Sequence, residues 1–509
     1  MMRWVLRAGA GLLTASVLVS AAVGVGPAAS ADTGDRPVDT ARIDRFVADT
    51  VEAQGLAGVS VALVRDGRIL HTRGYGRGPG GGPVTAETPM MIASLSKSMT
   101  AMAVMRLVEA GEVELDTPVR DYVPEFDPAD PRAERITVRQ LLDHTSGLSS
   151  GLLSPDRRAK GSLREAVAIL SSMATTAEPG TRHAYFNGNY WLLARMVEKV
   201  SGAPFRTYLD KAVFAPLGMD ASAAFEDPGA AIAAASGTAG GHTSAYGTSV
   251  ARREPPDFAT GSGGVVSTAA DMARWLAPYT SGGRTADGEP FVSAATVDAM
   301  LTPSDPAGEY ALGWRDGTPE GDARPRMSHD GNALTSSAYQ GIYRESGYAV
   351  AVLSNTFTLP LETAYPIAEG VIDIAEGAGT DEGAGPEVPV AVNAICDYVL
   401  AALTALTAAL GVRRIVRAPA WAERLGGRST PRLAARLSPR LLPFALGCGF
   451  VALVVASGAD ARFLGLWFVW PALGVWALAA VVSNLATVAV RVRALRRLRP
   501  RRAAPPHHA

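Results

Sequence analysis

Ser94-Leu95-Ser96-Lys97 opens a run that reads as helix as far as Ala110. A serine and a lysine three positions apart at a helix start lie on one face, one turn apart, so the amine reaches the hydroxyl. A serine hydroxyl is a weak nucleophile until a neighbouring base takes its proton. The positive end of the helix dipole adds a field that favours the developing alkoxide. The chain has only four lysines, Lys97, Lys160, Lys199 and Lys211, which makes one at this spacing more informative than usual. The tetrapeptide is common, however, and taken alone it leaves an ordinary helix start equally open.

Two further stretches supply what such a serine would need. In Tyr185-Phe186-Asn187, a phenol brought near Lys97 can relay a proton, and the Asn187 amide can hydrogen-bond both the lysine and a substrate amide. In His329-Asp330-Gly331, a strand with a small residue can line the other wall of a cleft. There the backbone amide of Asn332 can donate to an oxyanion beside the Ser94 amide, and Gly331 lets a substrate backbone come close. Each tripeptide by itself also fits a core tyrosine with a turn asparagine, or a strand-edge turn.

In this order the three resemble the signature of the penicillin-recognising serine hydrolases, S-x-x-K, then Y-x-N, then [KH]-x-G. The resemblance is to the branch of class C β-lactamases, class-B D,D-peptidases and related esterases. Leu141-Leu142-Asp143-His144-Thr145-Ser146-Gly147-Leu148 is similar to that family's L-L-x-H-T-S-G-L segment, and Tyr185 to Leu193 to its Y-x-N-x-x-Y-x-L-L. Gly263 to Met272 is similar to its G-G-x-x-S-T-x-x-D-M. The likeness runs from about Asp44 to Ala375. It implies Ser94 as acylated nucleophile, Lys97 and Tyr185 as proton carriers, and Asn187, His329, Gly331 and Asn332 around the substrate. It implies a two-step acyl transfer with no metal or organic cofactor. His144 would be structural, a capping or core histidine.

The surrounding pattern agrees with such a fold. Val59, Val61 and Leu63 alternate before Asp66-Gly67, which signals a hairpin, and Gln340 to Asn355 repeats the device around Glu345-Ser346-Gly347. Between them lie helical runs at Ser94–Ala110, Thr137–His144, Ser162–Thr175, Tyr190–Ser201, Phe205–Val213, Thr268–Leu276 and Ala294–Leu301. The expected fold class is α/β (α+β), a β-lactamase/transpeptidase-like antiparallel sheet flanked by helices with an inserted, mainly helical region. No internal repeat is visible.

The chain has 509 residues, 48% hydrophobic and 19% charged, with net charge −1, which excludes a disulfide-stapled miniature and a disordered chain. The neutrality hides an asymmetry. Residues 391–509 hold sixteen arginines against Asp397, Glu423 and Asp460, whereas the body before them is acidic and a poor nucleic-acid ligand. Arg3 and Arg7, an apolar run from Leu12 to Val25 and Ala29-Ser30-Ala31 read as a signal peptide over 1–31. Residues 32–375 form the expected hydrolase domain, and 376–390, rich in Gly, Pro and acid, a tether.

Three apolar stretches follow, at about 391–412, 441–457 and 464–490. They are separated and followed by the arginine runs Arg413–Arg440 and Arg491–Arg502. The positive-inside rule then places the body outside the cell and both basic runs inside, with the lipid bilayer as partner. An arginine tail that binds nucleic acid would not alternate with apolar spans. Cys396 and Cys448 fall inside those spans, where apolar packing is their expected role, so the exported body has no thiol or disulfide chemistry.

Some residues tempt without a task. Gly147-Leu148-Ser149-Ser150-Gly151 matches G-x-S-x-G, but it follows a helix rather than a strand, which that motif requires. Trp314 is expected to pack near the cleft, and Asp330 to be exposed. His329 and Asp330 stand where many relatives have Lys-Thr. An imidazole near its ordinary pKa would be only partly charged there, which weakens the case for an efficient β-lactamase. The leading expectation is a membrane-anchored hydrolase with D,D-peptidase-like action on peptidoglycan-type peptides or other small substrates. An esterase or weak β-lactamase is the enzymatic alternative, and a penicillin-binding sensor or scaffold the non-enzymatic one.

Overall fold

The computed structural model describes residues 37–498 apart from 79–80, 150–160, 228, 230, 233–239, 256–257, 320–321, 323, 360, 378–390, 426, 457–467 and 469. The signal-peptide reading of 1–31, most of the 376–390 tether and part of the G-x-S-x-G stretch therefore lie outside the described residues.

Both hairpins form, and they join. The strands β1 (Gly58–Arg65), β2 (Arg68–Gly76), β3 (Arg315–Asp316), β4 (Met327–Asn332), β5 (Ser337–Tyr343) and β6 (Tyr348–Ser354) make one sheet in the order β2-β1-β6-β5-β4-β3. All its pairings are antiparallel, with Val61 opposite Val352 and Gln340 opposite His329. Asp66 and Gly67, with φ of 49° and 78°, make the tight β1–β2 turn, as the Asp-Gly pair predicts.

β1, β5 and β6 are buried along nearly their whole length, so both faces of the central sheet are covered. Val59, Val61, Leu63, Val350 and Val352 pack against two helices, Thr40–Gln54 and Ala364–Ala375, through Ile43, Phe46, Val47, Ile367 and Val371. Ala62, Val64, Ala349, Ala351 and Leu353 face the other way, onto the helical region. The alternation in the sequence is thus not inside against outside. It is large side chains toward the terminal helices and smaller ones toward the inserted helices. Those two terminal helices were absent from the expectation.

Each helical run named above contains a helix, centred on Ser96–Glu109, Val138–Leu142, Leu163–Ser171, Asn187–Ser201, Phe205–Leu209, Ala269–Thr280 and Ala294–Met300. Ser96–Glu109 is apolar nearly all round (Met99, Met102, Val104, Met105, Leu107) and is buried accordingly between sheet and helical region. A third hairpin, Gly240–Ala245 with Thr248–Arg253, pairs through its first strand in parallel with Thr356–Phe357 and has no counterpart in the expectation.

Of the three expected spans, two described helices are long and apolar enough to cross a membrane, Val392–Val416 and Pro471–Leu498. The described part of the middle stretch is a helix of 15 residues, Leu442–Ala456. Cys448 lies on the surface of that helix, and Cys396, on Val392–Val416, is half-buried.

Candidate active site

The start of the Ser96–Glu109 helix is built under strain. Residues Ala93–Leu95 form a tight turn, and Ala93 takes φ of 45°, a left-handed conformation costing on the order of 1–2 kcal/mol for a residue with a Cβ. Ser96 holds the turn: its hydroxyl donates to the Ala93 carbonyl (2.7 Å) and accepts from the Val265 amide (3.0 Å). β4 closes in from the other side. A Cβ on Gly331 would overlap the Ile92 carbonyl oxygen and lie 2.8 Å from Leu95 Cδ1. Gly331 is therefore required for the strand's approach to the Ser94 turn, a tighter constraint than room for a substrate backbone.

Ser94 Oγ lies 3.0 Å from Lys97 Nζ and 3.0 Å from the Tyr185 hydroxyl. Lys97 is wholly buried, and its other bond is to the Ser262 carbonyl at 2.7 Å. Asn187, expected to hold the lysine, opens its helix with an exposed side chain and makes no hydrogen bond among the described residues. A main-chain carbonyl takes its place. Burial without a carboxylate partner pushes the Lys97 ammonium down to about 7, so both its protonation states are populated near neutrality. The Tyr185 phenol moves the other way, pushed up to about 12, chiefly by desolvation of its hydroxyl, with the Ser94 bond opposing. Between these two, the lysine is the group poised to accept a proton at pH 7, and the tyrosine to donate one.

Tyr185 is positioned by a segment that sequence reasoning left as merely structural. His144 has φ of 60° and is fully buried; its ring lies 4.5 Å, centroid to centroid, from that of Tyr185. The imidazole Nδ1 accepts from the Phe186 amide (3.3 Å) and pairs with the Asn189 amide (2.9 Å), while Ser146 donates to Asn189 Oδ1 (2.7 Å). Tyr190 donates to the Leu142 carbonyl at 2.8 Å. The His-Thr-Ser-Gly stretch and the Tyr-x-Asn-x-x-Tyr stretch thus lock to each other, with Asn189 rather than Asn187 as the joining amide. Burial holds His144 well below the usual imidazole range, so it is neutral.

The third stretch departs most from expectation. His329 is buried. Its Nδ1–H donates to the Asp330 carbonyl (2.7 Å), so Nε2 accepts from the Tyr310 hydroxyl (2.9 Å). Desolvation, with the Lys97 amine nearby, pushes its pKa down to about 3. It is neutral at every physiological pH rather than partly charged. The cation at this wall is Arg315 of β3, whose guanidinium lies 3.3 Å from Asp330 Oδ2. Asp330 is half-buried against it instead of standing free. Asn332 ends β4 with an exposed side chain. Trp314, fully buried, packs edge-on against Tyr279 (4.9 Å).

Ser262, Tyr310, Arg315 and Ala93 were not singled out from the sequence. Ser262 sits directly before Gly263-Gly264, so the quoted motif pointed at its neighbourhood. Tyr310 and Arg315 carry no signal until β3 and β4 pair. No cluster of three or more histidine, cysteine or acidic residues fit to hold a metal is found among the described residues.

Comparison with known proteins fits this geometry. The Beta-lactamase family model matches residues 43–369. Penicillin-binding protein 4 of Amycolatopsis lactamdurans is 30% identical over 312 residues, covering 58% of this chain and 80% of the relative. Esterase EstB of Burkholderia gladioli is 32% identical over 200 residues, but the match spans 35% of this chain and half of that protein. Among solved structures, the octameric penicillin-binding protein homologue from Pyrococcus abyssi superposes with a TM-score of 0.55 at 28% identity, over 66% of this chain and 77% of that one. With the Ser94 turn, the buried lysine and the antiparallel sheet in the arrangement described, the chain belongs to the beta-lactamase family of serine hydrolases.

Proposed function

We propose that this protein is a membrane-anchored, extracytoplasmic hydrolase that cleaves amide bonds of D-amino-acid peptides of the cell wall through an acyl-enzyme on Ser94. The observation that carries the reading is one hydroxyl within 3.0 Å of both a lysine held near neutrality and a protonated phenol. As Ser94 Oγ attacks the substrate carbonyl, its proton passes to neutral Lys97. The C–N bond then breaks while the Tyr185 hydroxyl protonates the departing amine, and the proton held by Lys97 restores the phenol. Water attacks the resulting ester, gives its proton to the same pair, and frees the acid and Ser94. The Ser94 and Asn332 backbone amides are the proposed oxyanion donors, and Asn187 and the His329–Gly331 strand the substrate's two sides.

Anchoring is supported by how the two long apolar helices pack. Asp397 near the start of Val392–Val416 accepts from Trp470 Nε1 at the start of Pro471–Leu498 (2.7 Å). A Cβ on Gly411 would lie 2.8 Å from Ser483 Cβ, and Arg414 is in electrostatic reach of Arg491 at the far ends. The helices are therefore parallel. If both cross a bilayer, the chain must return between them, and Leu442–Ala456 is the apolar helix available for that. This supports three crossings with both arginine runs on one side.

A fluorophosphonate or fluorescent penicillin probe on the full chain and on Ser94→Ala tests the core of the reading. Labelling that vanishes in the variant supports it, and labelling that persists refutes it. Turnover of D-Ala-D-Ala peptides, p-nitrophenyl esters and a chromogenic cephalosporin then separates the substrate classes. An esterase is the second reading, because the neutral, Tyr310-bonded His329 offers no charge to a substrate carboxylate. Labelling without turnover of any substrate would favour a penicillin-binding sensor.

A further inference from the structure

Twelve arginines lie between 413 and 440 and between 491 and 497, and none forms an ion pair with a described carboxylate. Three of them are drawn together where the apolar helices end: Arg414 near the end of Val392–Val416, Arg440 just before Leu442–Ala456, and Arg491 in the last third of Pro471–Leu498. Arg491 is only 9% exposed, lies 4.5 Å above the Trp421 ring, and leaves its Nε without a partner. Arg440 Nε is likewise buried without a partner, and among the described residues its guanidinium makes a long 3.5 Å contact, from a terminal nitrogen to Asn484 Oδ1. A buried guanidinium such as that of Arg491 requires a hydrogen-bonded counter-charge, and two further half-buried ones beside it, Arg414 and Arg440, strengthen the demand for an anion.

We propose that this arginine cluster forms a binding site for the phosphodiester head of an anionic phospholipid of the inner leaflet. The phosphodiester sits against Arg414, Arg440 and Arg491, and the acyl chains run back along the apolar helices toward the bilayer core. A phosphate supplies the acceptor oxygens that the orphaned Nε groups lack, and arginine holds it in a bidentate fork. The position at the end of apolar helices selects a lipid over a soluble anion. This site rests on the membrane topology proposed above.

The test uses the full chain in vesicles of phosphatidylcholine alone, or of phosphatidylcholine mixed with phosphatidylglycerol. Native mass spectrometry after detergent extraction reads the retained lipid, and thermal unfolding reads its effect. Retention of phosphatidylglycerol over phosphatidylcholine is expected. The triple variant Arg414→Gln/Arg440→Gln/Arg491→Gln should weaken retention on the order of a hundredfold, and Arg493→Gln/Arg497→Gln, on exposed positions of the same helix, only a few-fold. If the triple variant does not fold, Arg440→Gln alone should still cost about fivefold. Equal retention of both lipids, undiminished retention in the variants, or equal protection by inorganic phosphate in lipid-free detergent overturns the proposal. A chain released from membranes by carbonate overturns the topology as well, whereas an integral chain without lipid preference refutes this site alone.

Discussion

Replacing Lys97 by methionine should abolish acylation and at the same time make the protein more stable. The amine is completely buried, and burial lowers its pKa from 10.5 to about 7. In the unfolded chain the lysine keeps its ordinary value and stays protonated between those limits. The unfolded state therefore binds more protons than the native one across pH 7 to 10.5, and native stability rises with pH through that window. The penalty is full below pH 7, on the order of 4–5 kcal/mol, and falls to about 1 kcal/mol by pH 10. Methionine has similar length and no charge to desolvate, but it forfeits the bonds to Ser94 and to the Ser262 carbonyl, about 1–3 kcal/mol together. The net expectation is a gain of about 1–4 kcal/mol at pH 7 that disappears or reverses by pH 10. Unfolding midpoints of the full chain in detergent, followed by tryptophan fluorescence across that pH range, measure the difference directly. A Lys97→Met protein less stable than the parent at pH 7, or a difference that does not change with pH, would refute the claim that a depressed lysine lies at the centre of this site.

The same lysine sets the acid limb of activity. Its neutral form is lost as pH falls through about 7, so acylation should drop about tenfold per unit below that, near a hundredfold by pH 5. Because His329 is already neutral there, His329→Gln should leave that limb in place, and a shifted limb in rapid-quench labelling would contradict the assignment. Gly331→Ala forces a methyl into the Ile92 carbonyl and Leu95, with an expected cost of about 1–3 kcal/mol and slowed probe labelling. Normal labelling in that variant would mean β4 need not touch the Ser94 turn. Asp397→Ala leaves Trp470 Nε1 and the Tyr246 amide unpaired, and should raise protease sensitivity in the Gly240–Arg253 hairpin without removing Ser94 labelling. Unchanged cleavage would show that the helix is not docked there.

How much of this could be read in advance depended on the range of the interactions. The hairpins around Asp66-Gly67 and Gly347, and the amphipathic helix starting at Leu163, are decided within a few residues, and the structure has them where local pattern puts them. The proximity of Ser94, Lys97 and Tyr185 depends on pairing across 91 residues, and only the motif resemblance made it legible. Two things were hidden for physical reasons. The helices Thr40–Gln54 and Ala364–Ala375 exist because β1 and β6 need a second cover, a demand visible only once the sheet is assembled. The charge state of His329 follows from the enclosure supplied by Tyr310, Tyr185 and the Lys97 amine, none of them its sequence neighbours. The substitution of His for Lys at this position thus removes a charge altogether instead of weakening one, and leaves Arg315, paired with Asp330, as the cation on that wall.

The link between the apolar helices and the rest of the chain is firmer than a flexible tether would give. Asp397, 1% exposed, accepts from the Tyr246 amide at the tip of the Gly240–Arg253 hairpin (2.6 Å) as well as from Trp470. Asn393 binds both the amide and the carbonyl of Leu361 (2.9 Å each). The same hairpin reaches the turn after β4: the His242 amide donates to the Thr335 carbonyl at 3.0 Å, and Glu254, at its end, accepts from the Leu334 amide at 3.0 Å and the Thr335 hydroxyl at 2.5 Å. That turn begins at Ala333, next to the Asn332 amide proposed to stabilise the oxyanion. A displacement at Asp397 therefore has a continuous hydrogen-bonded route to one wall of the site, while Ser94, Lys97 and Tyr185 are held by a separate set of contacts through Ser262 and His144. Loosening the first helix should accordingly affect the stabilisation of the tetrahedral intermediate more than the reactivity of the serine, so the two halves of the chemistry are separable by mutation.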